Sequence, residues 1–146
     1  MDSKITLVSL DIEDYEEVTA LWTRAGLKFR PEGRDSHSEL NRQLASKFVW
    51  LIGTKQGEIL IGVVMPSHDS RRGWINRLAI DPAFRRQGIG VALIQEAMKQ
   101  LRARGIDVIA ATIESDNAAS LALVRKVGFQ VAEDVFYASH RTSQVV

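Results

Sequence analysis

The stretch Ile75-Asn76-Arg77-Leu78-Ala79-Ile80-Asp81-Pro82-Ala83-Phe84-Arg85-Arg86-Gln87-Gly88-Ile89-Gly90 decides how the rest of the chain is read. Its first part belongs to a strand, Trp74–Ile80, that Asp81-Pro82 ends, because the residue before a proline is held extended and proline has no N–H to continue a ladder. Its last part opens a helix predicted over Gly88–Arg104 and stopped by Gly105, a suitable C′ glycine. Between them, Arg85-Arg86-Gln87-Gly88-Ile89-Gly90 places glycines at a helix N-terminus. Glycine lets backbone N–H groups come close to a ligand, the helix end adds a positive dipole, and Arg85 and Arg86 add charge. Such a place suits a pyrophosphate. It is not a Walker loop, because no Gly-Lys-Ser/Thr follows. It is not a Rossmann fingerprint either, which needs three spaced glycines in the first βα turn and an acid after the next strand. The plainer alternative is an ordinary helix start with glycines for packing.

Working outward, Lys4–Ser9 alternates and is β-branched, a first strand. Asp11 is an N-cap with Asp14 in the capping-box position. Ile12, Tyr15, Val18, Leu21 and Trp22 then recur at helical spacing, and Gly26 stops that helix. Leu27–Ser36 is a loop by its Pro31 and Gly33, and Ser36 or Ser38 caps a second helix carrying Leu40 and Leu44. Phe48–Thr54 and Ile59–Met65 form a hairpin about Lys55-Gln56-Gly57-Glu58. Downstream, Ile106–Ile113 is a fifth strand, Asn117–Lys126 a helix stopped by Gly128, and Phe129–His140 an extended last segment. The order β-α-α-β-β-β-α-β-α-β joins an antiparallel half to a βαβ half, which gives an α/β fold: a mixed sheet with helices on both faces.

Composition bounds the rest. The chain has 146 residues, 45% of them hydrophobic and 25% charged, with net charge +1 and no cysteine. One domain, 1–146, is expected at this length. The hydrophobic fraction excludes disorder and collagen-like repeats, and the absent cysteines exclude disulfide scaffolds, thiolate catalysis and iron–sulfur clusters. No apolar run reaches a membrane span, and Met1-Asp2-Ser3-Lys4 shows no signal-peptide pattern, so a cytoplasmic protein is expected. Charge is asymmetric: residues 1–40 carry five basic and nine acidic side chains, and residues 67–105 carry eight and three. The second block is where an anionic ligand is expected. Nucleic acid is not, since no repeated aromatics separate those charges. His37, His68 and His140 show no paired spacing, so no metal is expected.

The quoted stretch resembles the acetyl-CoA signature of the GNAT superfamily of N-acetyltransferases, R/Q-x-x-G-x-G/A after a strand. Asn117-Ala118-Ala119-Ser120-Leu121 and Lys126-Val127-Gly128-Phe129 resemble its second signature. The resemblance implies a GNAT-like fold in which the fourth and fifth strands splay apart and hold the pantetheine of acetyl-CoA, the cosubstrate. Leu78, Ala79 and Ile80 would then offer backbone groups to pantetheine. The pyrophosphate would sit on the turn Arg85, Arg86, Gln87, Gly88, Ile89 and Gly90 with Val91, and Asn117 would bond the cofactor arm or serve as a plain N-cap. The implied activity is direct acetyl transfer to a primary amine of a small molecule or protein, in a monomer or homodimer.

The resemblance also implies catalytic roles. A backbone N–H near Leu78 or Ala79 would stabilise the oxyanion. The family's usual tyrosine acid falls on Val124, which can donate nothing. Its strand glutamate falls on Thr112, with Glu114 two residues on as candidate base on the same strand face. Tyr137 is a candidate replacement acid, against a plainer rim tyrosine. His68-Asp69 and Trp74 could line the acceptor cleft, and Asn76 and Arg77 lie on opposite strand faces. Lys28, Arg30 and Arg34 in the Leu27–Asp35 loop suggest an acceptor with an anionic group, unless Glu32 and Asp35 simply balance a solvated loop. The alternative to an enzyme is a non-catalytic acyl-CoA-binding domain.

Overall fold

Residues 59–65, Ile-Leu-Ile-Gly-Val-Val-Met, are apolar on both pleat faces, and strands buried on both faces read this way. In the computed structural model, which describes residues 4–146, they lie in the middle strand of a five-stranded sheet. The strands are β1 (Ile5–Leu10), β2 (Leu51–Gln56), β3 (Ile59–His68), β4 (Arg72–Ile80) and β5 (Val108–Ala110), in that spatial order. The first three pairings are antiparallel and β4–β5 is parallel. The β2–β3 turn is the two residues Gly57-Glu58, with Gly57 at φ +61°, as tight hairpins need.

Four helices cover the sheet: α1 (Tyr15–Ala25), α2 (His37–Ala45), α3 (Ile89–Ala103) and α4 (Ala118–Lys126). Side-chain alternation divides the core in two. Leu51, Leu60 and Val63 join Val18, Leu21 and Trp22 of α1 and Leu40 of α2. Ile52, Ile61 and Val64 join Ile89, Leu93, Ile94, Ala97 and Leu101 of α3 and Val124 of α4. The mixed sheet with helices on both faces is the fold class expected. Local signals also hold. Asp11 and Asp14 form the capping box, Ser36 caps α2, and Gly26, Gly105 and Gly128 all adopt positive φ where helices end. Among the described residues no helix is long and apolar enough to cross a membrane.

Several boundaries differ, β4 among them, which starts at Arg72 rather than Trp74. Phe48–Trp50 lies outside β2, Val49 making only an isolated bridge to Ser67, while β3 runs on through Pro66–His68. The fifth strand has three residues rather than Ile106–Ile113. The tenth element, the strand expected in Phe129–His140, does not form among the described residues. Extended chain becomes a strand only beside a partner ladder. No strand of the sheet pairs with this segment among the described residues, and Val135, Phe136 and Tyr137 are 73%, 95% and 73% exposed.

Gly62 sets how closely α3 approaches the sheet. A Cβ there would lie 2.5 Å from Thr54 Oγ1 and 3.0 Å from carbons of Ile89 and Leu93. Gly62→Ala is expected to destabilise the fold by about 1–3 kcal/mol through overpacking, read as a lower denaturation midpoint with unchanged slope.

Candidate functional site: the open edge of β4

β5 pairs with β4 only from Arg72↔Val108 to Trp74↔Ala110, whereas β4 runs on to Ile80. The fourth and fifth strands therefore part after Trp74 and, among the described residues, leave one edge of β4 without a strand partner. A register shift between Val63 and Met65 sets Arg77 and Leu78 opposite Val64, a β-bulge, with Arg77 at φ +56°. The Asp81 N–H donates to Ile61 O at 2.8 Å, which fixes the alternation beyond the bulge. The amides of Ala79 and Asp81 face β3, and those of Leu78 and Ile80 face the open edge. The side chains of Leu78 and Ile80 pack on the α3 cluster, and Ala79 is buried on the α1 side.

The edge runs into the Arg85–Gly90 turn at the N-terminus of α3. Arg86 has φ +65° and Gly88 φ +80°, and a Cβ built on Gly88 meets nothing within 4 Å. Positive-φ residues interleaved with ordinary ones turn successive N–H groups toward one side, an anion-binding nest. Gly90 has a packing role, its Cβ position lying 3.0 Å from Leu123 of α4. Ile89 is buried beneath the turn and Val91 is half-buried. Arg86 and Gln87 are exposed. Arg85 is engaged elsewhere: its guanidinium donates to Ala25 O at the end of α1 (3.2 Å), next to the Arg24–Asp81 ion pair at 3.1 Å. Asn117 caps α4, its Oδ1 accepting from the Ser120 N–H (3.1 Å), and the cap does not use its amide nitrogen.

The side-chain candidates for proton transfer are scattered. Glu114 is exposed and lies past the end of β5, so neither it nor Thr112 is on a strand face. Tyr137 is exposed in an irregular segment, and Val124 is 7% exposed inside the core. His68 and Asp69 close the β3–β4 turn, accepting from the N–H groups of Ser70 and of Arg71 and Arg72. Those turn contacts hold Asp69 below the usual carboxylate range. Among the described residues no cluster of three or more ligating side chains could hold a metal. A separate depression, lined by Leu7, Ser9, Ile52, Glu96 and Gln100, shares no residue with this cleft.

The family model of the Acetyltransferase (GNAT) family matches residues 14–129. The chain belongs to that family. Solved GNAT structures share its fold. The aminoglycoside N-acetyltransferase AAC(6')-Iy, in complex with a CoA-containing bisubstrate analogue, superimposes with a TM-score of 0.79 at 17% identity, covering 95% of this chain and 99% of the other. The PaiA N-acetyltransferase from Thermoplasma acidophilum, in complex with coenzyme A, gives 0.75 at 22% identity over 88% and 91%. The ribosomal-protein-S18-alanine N-acetyltransferase from Escherichia coli gives 0.74 at 21% over 88% and 79%.

Sequence reasoning left Asp35 as a loop charge, yet it is 2% exposed. Its Oδ2 accepts from the Arg77 guanidinium and from the Arg30 N–H, both at 2.7 Å, and its carbonyl accepts from the Tyr15 hydroxyl at 2.7 Å. Arg30 itself donates to Gln144 O, while Lys28 and Arg34 are exposed. Burial holds the Arg77 guanidinium below its ordinary value, and the charge of Asp35 offsets only part of that. No local signal marks Asp35, because its partner is 42 positions away.

Burial raises the Tyr15 hydroxyl above its ordinary value, helped by the charges of Asp35 and Glu16. Tyr15 thus adds stability below about pH 10, where both states hold the proton, and loses it as pH rises through the folded value. Tyr15→Phe is expected to lose about 0.5–1.5 kcal/mol at neutral pH from the missing hydrogen bond. It should also show a shallower fall in stability above pH 10, checked by urea unfolding across pH.

Proposed function

We propose that the chain is a single acetyl-CoA-dependent N-acetyltransferase domain that moves an acetyl group to a primary amine of a small molecule or protein. The observation that carries this reading is the open edge of β4 leading straight into the nest at Arg85–Gly90. An extended amide-bearing arm adds to a free strand edge by main-chain hydrogen bonds, and a pyrophosphate suits a nest at a helix N-terminus. Both features fit acetyl-CoA. Leu78 and Ile80 would hold the pantetheine through backbone groups, flanked by Ala79. The N–H groups from Arg86 to Val91, with the Arg86 side chain, would hold the phosphates, and Asn117 would reach the arm with its free amide. Arg85 would support the site by tying its turn to α1 and by adding its charge.

Bound acetyl-CoA supplies the thioester that the amine attacks. The chain's part is to hold the two reactants together and to steady the charge that develops on the carbonyl oxygen. The Leu78 N–H, directed at the open edge, is the proposed donor; removing one such donor costs about 10²–10³ in rate elsewhere. An alkylammonium near pKa 10.4 must lose its proton before attack. Glu114, exposed on the 111–116 segment, is the proposed base, acting through water. The exposed Lys28 and Arg34 support an acceptor that carries an anionic group beside its amine. A second reading, an acyl-CoA-binding domain without turnover, draws on Val124, whose buried side chain offers no acid. Thiol release from acetyl-CoA against a panel of amines separates the two.

Two outcomes are expected. CoA at about 100 times its dissociation constant should add about 2.7 kcal/mol of stability. Gly88→Glu should abolish that gain, because it places a side chain and a negative charge in the nest; a full thermal shift in this variant overturns the site. In turnover, Glu114→Gln should lower kcat by about 10²-fold, the lower end of general acid–base effects. Tyr137→Phe should change kcat less than about threefold, because a thiol of pKa about 8.5 can take its proton from water. A larger loss in Tyr137→Phe than in Glu114→Gln reverses the assignment.

A further inference from the structure

Arg77 holds a left-handed backbone conformation in the middle of β4, which a branched or long side chain adopts rarely without something to hold it. Three contacts hold it here. One guanidinium nitrogen donates to Asp35 Oδ2 and another to Lys28 O, each at 2.7 Å, and the guanidinium lies 5.6 Å from the centre of the Trp22 ring. The ion pair is shielded from water, its side chains 13% and 3% exposed. Asp35 is fixed in turn by the Arg30 N–H and the Tyr15 hydroxyl. Loop 27–36, helix α1 and the bulge are therefore joined through one guanidinium.

The bulge decides which amides reach the open edge. It adds one residue to β4 opposite Val64. Removing one residue from a ladder reverses every later alternation, so without the bulge the amide pairing of Leu78 and Ala79 would exchange. We propose that Arg77 and Asp35 are positioning residues: their ion pair holds the bulge that turns the Leu78 N–H to the open edge, and couples that amide to the loop beside the cleft. The inference deepens the transferase reading and rests on it for its effect on rate. Lysine cannot replace Arg77, because a single ammonium lacks the planar fork that reaches two separate acceptors.

The test separates stability from position. Replacing both partners of a buried pair with apolar residues often preserves stability, whereas removing one leaves a buried charge. The double variant Asp35→Leu with Arg77→Met is therefore compared with the parent, and Arg77→Lys serves if the double variant does not fold. With the best amine of a panel, kcat is expected to fall at least tenfold while KM for acetyl-CoA stays within twofold. Amide hydrogen exchange gives a readout without turnover. In the parent, the Ala79 amide should be protected by β3 and the Leu78 amide should exchange fast; in the variants that contrast should be lost or reversed. A folded variant that keeps the contrast, or keeps kcat within threefold, overturns the proposal. If the parent binds CoA yet acetylates no amine, the transferase reading fails, and the exchange contrast alone decides whether the pair sets the bulge.

Discussion

Six residues of β4, Ile75–Ile80, run on after β5 has stopped pairing, and the rest of the molecule is arranged around that unpaired edge. Unpaired edges invite association with other chains, and proteins generally shorten, charge or cover them. Here the edge is kept, and its lower end shows how. At Gly73 a Cβ would stand 3.1 Å from both Ile106 and Leu101, so the strands and α3 meet closely only because that position is bare. Two positions on, Ile75 fills the α3 cluster with a branched side chain. The pinch at Gly73 and the bulk above it let the two strands pair at one end and part at the other.

Both walls of the resulting cleft are tied back to its floor. On one side α3 packs through Ile89 and Leu93 under the turn, and Gly90 admits Leu123 of α4. On the other, Arg24 and Arg85 gather Asp81, Leu60 O and Ala25 O at the end of α1, where backbone carbonyls leave negative charge. This arrangement bears on anion binding. Arg85, one guanidinium nitrogen of which donates to Ala25 O, still adds its charge to the turn beside the main-chain N–H groups and the exposed Arg86. Backbone donors are fixed by the fold, so their positions do not have to be ordered when an anion arrives.

What was legible in the sequence was what is written locally. Glycines at 26, 105 and 128 end helices because each adopts positive φ, and Asp11 with Asp14 announces the first helix within four residues. The Arg85–Gly90 turn was legible for the same reason, between a proline-stopped strand and a long amphipathic helix. Non-local features were not. Asp35 and Arg77 read as an ordinary loop acid and a strand arginine; only folding brings them to 2.7 Å. The parity of β4 was illegible because a bulge is a relation between two strands. The last segment has the composition of a strand, but strand formation depends on a partner ladder, and among the described residues no strand pairs with it.

Val124 stands where the resemblance puts the family's usual tyrosine, and its surroundings are those of a core residue. It is 7% exposed, in the same cluster as Ile89 and Leu93, and its carbonyl accepts from the Phe129 N–H in the turn that ends α4. A side chain held there contributes packing beneath the cleft, and a hydroxyl in its place would need a partner or lose about 1–3 kcal/mol to burial. On the proposed transferase reading, the chain has a closed core here in place of a fixed acid. That exchange is tolerable for a thiolate leaving group, which is far less basic than the amine that attacks.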